Sequence, residues 1–202
     1  MRRGILIAAC MVNAGAFAAE RQSIEHCIDD LAAGGLDSIR SKADLARIPA
    51  DGPPPLRIAL NDTFATDLER ADIAKWIGIR NVCRRRLAMS RSMPPESAIE
   101  AASLRQVSAL SRMIRSSVGR LIRALYCQEL TYGEFARKRY EFARDAAALS
   151  SAIDDAGLAA DQTKLRQTLR QLSYLRISWN TYLWRLDARP PGAVHIHGAI
   201  NT

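Results

Sequence analysis

This chain predicts an all-α fold: an antiparallel helical bundle of about four long helices plus a short N-terminal one. Three observations carry that expectation. Apolar residues recur at steps of three and four through four long stretches, the period of one helix face. Thr66 with Glu69, and Thr131 with Glu134, have the spacing of a capping box, in which threonine and glutamate satisfy each other's free backbone amides at a helix start. Prolines and glycines fall between the stretches, where a chain must turn. Residues 56–60 are the one strand-like run, and a lone strand has nothing to pair with.

Residues 1–18 join Arg2 and Arg3, an apolar run from Gly4 to Phe17, and Ala16-Phe17-Ala18, the three parts of a cleaved secretory signal. The run is too short for a spanning helix, which takes roughly 20 apolar residues. The alternative, lipoprotein processing at Cys10, leaves a poor membrane-engaging core between Arg3 and Cys10. The expected mature protein is periplasmic, with a bundle domain at 19–189 and a flexible tail at 190–202.

A short helix is expected from about 19 to 33, stopped by Gly34-Gly35. Residues 36–47 are weakly helical, and the proline-rich stretch 49–55 is an extended loop. The next helix opens between Asn61 and Thr66 and carries Leu68, Ile73, Trp76, Ile79, Val82, Cys83 and Leu87 on its apolar side. It ends before Met93-Pro94-Pro95, because the residue before proline avoids the α region.

The third helix, about 95–128, has the cleanest pattern: Val107, Leu110, Ile114, Val118, Leu121 and Leu125 form one stripe. Arg105, Arg112, Arg120 and Arg123 lie opposite, with Arg115 on a flank, and no acidic residue occurs between Ala101 and Gln128. Such a helix suits an anionic surface or partner; the alternative is a core-facing helix with a solvated basic side. The fourth helix starts at Thr131, buries Phe135, Phe142, Ala146, Leu149 and Ile153, and stops at 154–157. The fifth runs from about 158 to 188, with Leu158, Leu165, Leu169, Leu172, Leu175, Trp179, Leu183 and Leu186 on its main face. Tyr174, Ile177 and Trp184 lie on its other side among Arg166 and Arg170. The expectation is that this helix is sandwiched between neighbours; otherwise Tyr174 and Trp184 belong to an aromatic-basic patch for a partner.

The chain carries 29 Lys+Arg against 21 Asp+Glu, a formal charge of +8. Losing Arg2 and Arg3 with the leader brings this to +6. A basic surface attracts anionic partners, and export turns the expectation from nucleic acid to an anionic envelope component or another envelope protein. Peripheral membrane association and homo-oligomerisation both remain open. Cys27, Cys83 and Cys127 survive processing, which allows three pairings. Cys27 and Cys83 sit near the apolar sides of their helices, and Cys127 close to a charged side. This favours Cys27–Cys83 with Cys127 as the free thiol; the alternative is that all three stay reduced.

Trp76-Ile-Gly-Ile-Arg80-Asn-Val-Cys83, and Leu125-Tyr-Cys-Gln-Glu-Leu-Thr-Tyr-Gly-Glu-Phe135 with Arg137 and Arg139, resemble segments of an uncharacterised group of small exported helical proteins of Gram-negative bacteria. The resemblance covers about residues 60–145 and implies export and a helical fold. It carries no functional residue, because the group has no assigned activity, and Cys127 is an addition to its pattern.

Catalytic motifs do not emerge. There is no nucleophile elbow, P-loop or dinucleotide fingerprint. His26 is the one imidazole in the helical region, and His195 and His197 stand on the tail with nothing near to complete a metal shell. Asp29-Asp30 and Asp154-Asp155 are neighbours on helix ends rather than a pair across a cleft. The expected function is therefore a non-catalytic envelope interaction or accessory protein, with no cofactor or metal, docking through the basic helix. The alternatives are a small-ligand or metal-binding bundle, or a cysteine-dependent redox protein.

Overall fold

The structure, a computed structural model, describes residues 27, 35–43, 45, 52–88 and 97–189, the side chains of 86–88 excepted. The leader, Cys10, most of the first expected helix, all three histidines and the tail lie outside the described residues. Cys27 is helical. Among the residues described after it, two short helices, α1 (Asp37–Arg40) and α2 (Leu56–Ala59), precede four long ones: α3 (Asp67–Ala88), α4 (Ala98–Tyr126), α5 (Tyr132–Leu158) and α6 (Gln162–Asp187). No strand occurs among the described residues.

The contacts set the directions. Arg70 stacks on Tyr126, while Arg84 reaches the Arg115 carbonyl, so α3 runs antiparallel to α4. The Ser103 hydroxyl donates to the Ile153 carbonyl near the other end of α5, which reverses the direction again. Phe142 stacks on Trp179 with centroids 4.3 Å apart, and Glu134 meets Arg189, so α6 turns back once more. The result is an up-down-up-down bundle in which α4, α5 and α6 share the main core and α3 packs on α4.

Local chemistry explains where the helices start and stop. Thr66 and Thr131 cap α3 and α5, each exchanging hydrogen bonds with the glutamate three residues on. Ser97 caps α4 and Asp161 caps α6. Residues 154–157 do not stop α5, which continues to Leu158 because Ala156 still packs into the core. The turn falls instead at Ala160, whose φ of 50° is left-handed, and the Asp161 amide donates back to the Ala156 carbonyl. Gln128 does the same after α4, with φ 59°. The strand-like run at 56–60 is helical: Pro55 stands just before the turn, its carbonyl accepts from the Ile58 and Ala59 amides, and Ile58 turns into the core.

Both motif segments of the sequence turn out to be scaffolding. Trp76 is buried edge-on against Phe135. Cys83 is buried and bonded to Cys27, across a Cα–Cα distance of 5.8 Å and 56 residues of chain. Tyr132 and Gly133 donate their amides to the Thr63 and Asn61 carbonyls, Gln128 Nε2 donates to the Ala65 carbonyl, and Arg137 donates to that of Ala59. The α4–α5 corner is thus clamped onto the strap that leads into α3.

Gly133 is required by that close approach. A Cβ there would stand 2.6 Å from the Ala59 carbonyl oxygen, whereas one at Gly78, inside α3, would meet nothing within 4 Å. Gly133→Ala should lower the denaturation midpoint, with a loss of about 1–3 kcal/mol. Gly78→Ala should raise it, with a gain of roughly 0.5–1 kcal/mol, because glycine weakens a helix interior. Thiol titration checks the cysteines: denatured, unreduced mature chain should expose only Cys127. Removing the Cys27–Cys83 bond should cost about 4 kcal/mol in the chain-entropy estimate.

Candidate anion-docking surface

The arginines of α4 divide into three groups. Arg105, Arg112 and Arg123 are exposed and follow one another at steps of seven and eleven residues, so they share one stripe on the outer side of the helix. Neither Arg105 nor Arg112 makes an ion pair among the described residues; Arg123 has Glu129 as a neighbour. Arg120 departs from the expected free basic face: it pairs with Asp187 of α6 at 2.5 Å. Arg115 is half-buried on the α3 side.

Beside Arg115 stands Arg84 of α3, whose guanidinium donates to the Arg115 carbonyl at 3.2 Å. Burial, then the Arg115 charge, lowers the Arg84 value, and burial, then Arg112, lowers that of Arg115. Arg84, Arg115 and Arg112 therefore form a cationic run from the α3–α4 seam onto the open stripe. Like charges held this close favour any anion that settles among them. Sequence reasoning missed Arg84. Its only signal was the Arg84-Arg85-Arg86 run, which says nothing about the helix it will face.

The outer face of α6 was expected to be covered and is not. Tyr174 is 73% exposed, Ile177 62%, Trp184 70% and Leu169 51%, and Arg166, Arg170, Arg176 and Arg185 are exposed with them. Leu158 and Leu169, placed on the main apolar face by the sequence pattern, and Leu68, placed on the apolar side of α3, are exposed instead. The helix buries Leu165, Leu172, Trp179, Leu183 and Leu186 against α4 and α5, and those two neighbours lie on the same side. Trp184 lies one turn before Asp187, and Arg123 one turn after Arg120. The Arg120–Asp187 pair thus marks an edge common to the arginine stripe and the aromatic face.

The acidic groups serve the scaffold. Glu69 is buried: it accepts from the Lys42 ammonium at 2.5 Å and from the Thr66 amide and hydroxyl, while Ser38 donates to Asp72. These bonds tie α1 to α3. Burial, with Glu69 and Asp72 close by, pushes the Tyr132 phenol far above its usual value, and its hydroxyl makes no hydrogen bond of good geometry. Asp154 is raised by burial and by Asp155, its neighbour on the same helix. No group of three His, Cys, Asp or Glu among the described residues could hold a metal ion. Cys127, the free cysteine among the described residues, is half-buried at the end of α4.

The chain matches no protein-family model, no curated protein and no solved structure.

Glu69 gives the scaffold a pH signature. Burial alone would raise its value, but the hydrogen bonds from Lys42 and Thr66 outweigh that and hold it below the ordinary carboxylate range. A lowered folded value means stability that is present above the unfolded value, about 4.3, and lost as pH falls through the lower folded one. Glu69→Gln should therefore be about 1–3 kcal/mol less stable than the parent at neutral pH. Urea titrations should show the two converging as acid removes the charge from the parent.

Proposed function

We propose that this chain is a non-catalytic, exported docking protein that attaches to an anionic component of the cell envelope. The observation that carries the reading is the stripe of Arg105, Arg112 and Arg123, fed at the α3–α4 seam by Arg84 and Arg115, on a helix without a carboxylate after Glu100. Two further features support it. The Cys27–Cys83 bond suits an oxidising compartment such as the periplasm, and residues 1–18 have the composition of a cleaved leader. Among the described residues no helix is long and apolar enough to cross a membrane, so attachment would be peripheral.

Docking of this kind is long-range electrostatics between exposed groups, so it weakens as salt shortens the screening length to about 8 Å at physiological ionic strength. Binding to lipopolysaccharide or to anionic vesicles should fall steeply between low and high salt. The triple variant Arg105→Glu, Arg112→Glu, Arg123→Glu should abolish it while keeping the helical circular dichroism of the parent. Equal binding by the variant would sink the reading.

A further inference from the structure

We infer that the outer face of α6 is a lipid-contacting surface, which seats Trp184, Ile177 and Tyr174 among the headgroups of an anionic bilayer while the neighbouring arginines hold its phosphates. The inference deepens the docking reading and rests on it, because it names the anionic component as a lipid surface.

Four observations point to that occupant. The exposed apolar groups are the kinds that settle at a membrane interface: a tryptophan and a tyrosine with polar tips, and two aliphatic chains. They lie along about 22 Å of helix from Leu169 to Trp184, enough to rest in the headgroup plane. Their charged company has one sign: α6 carries Lys164, Arg166, Arg170, Arg176 and Arg185 against Asp187 alone, and Asp187 is already paired with Arg120. That charge also argues against a second copy of this chain as the occupant, since pairing α6 with α6 would set arginine against arginine with no carboxylate to relieve them. Finally, Arg120–Asp187 places the α4 stripe and Trp184 on one edge, so both can meet the same plane.

The three tryptophans make the test selective. Trp76 and Trp179 are 2% and 3% exposed and Trp184 is 70%, so lipid-dependent changes in emission report Trp184. The purified chain is mixed with phosphatidylglycerol-rich vesicles, with phosphatidylcholine vesicles, and with both kinds carrying brominated acyl chains. Binding should occur with the anionic vesicles, accompanied by a blue shift and by quenching from bromine, and both signals should vanish in Trp184→Phe. Trp184→Ser with Ile177→Ser, at exposed positions that leave the core intact, should weaken binding at least about tenfold. Each of Arg166→Gln and Arg170→Gln should weaken it roughly fivefold.

Three outcomes overturn the inference. In the first, anionic vesicles bind without quenching and without sensitivity to Trp184, yet binding disappears on reversing Arg105, Arg112 and Arg123; the docking reading then survives while the lipid-contact face fails. In the second, no vesicle binds but soluble lipopolysaccharide does, with the same division. In the third, sedimentation shows a dimer that Trp184→Glu dissolves, which makes the face a homotypic interface.

Discussion

One buried side chain, Gln106, fixes how the last helix is turned, and the proposed surface follows from that rotation. Its amide donates to the Leu165 carbonyl at 2.9 Å, and the Thr168 hydroxyl donates to its oxygen at 2.7 Å. Both residues are buried, so rotating α6 would leave the N–H and the oxygen of the Gln106 amide unsatisfied, at about 1–3 kcal/mol each, while the Thr168 hydroxyl keeps the Leu165 carbonyl of its own helix. An apolar face can slide over another with modest loss, but a hydrogen-bonded pair in a dry seam tolerates little displacement. With Thr168 facing α4, Leu172, Trp179 and Leu186 must face inward, and Tyr174, Ile177 and Trp184 must face out. The Arg120–Asp187 pair supports the same setting from the rim, but an exposed pair contributes little by comparison.

The second constraint is the corner between α4 and α5. Tyr132, Gly133 and Arg137 bind it to residues 59–63, Glu134 holds Arg189 just beyond the end of α6, and Gln128 holds Ala65 before α3. The corner thereby ties α2, α3 and α6 to one end of the bundle, and the Lys42–Glu69 and Cys27–Cys83 links carry the earlier chain onto α3. So many polar groups are consumed in holding the frame that the free cations remain on the outer arcs of α4 and α6.

Features written in local chemistry could be read from the sequence. Thr66 and Thr131 announce their helices because the capping residue and its glutamate are three positions apart. The α4 stripe follows from a period that admits one inward face, and Cys83 and Cys27 were matched by their apolar settings. Features that depend on tertiary neighbours could not be read. The last helix has two apolar sides, Leu172 with Trp179 and Ile177 with Trp184, and periodicity alone cannot choose between exposure and burial for the second. The choice is made by Gln106, 59 residues before the carbonyl it binds. Arg120 meets Asp187 across 67 residues, and Arg84 meets Arg115 across 31, so neither the lost nor the added member of the basic surface had a local signal. Residues 56–60 misled for a related reason: their apolar run suits a strand, yet the segment lies against α5 as a single helical turn.

In the free protein Trp184 faces water, and the proposed surface stands or falls with it. Acrylamide quenching of tryptophan emission tests it without any partner. The parent should show one readily quenched component, removed in Trp184→Phe, beside a protected remainder from Trp76 and Trp179. If Trp184 is as protected as those two in the monomer, α6 is rotated or covered, and the surface described for it does not exist.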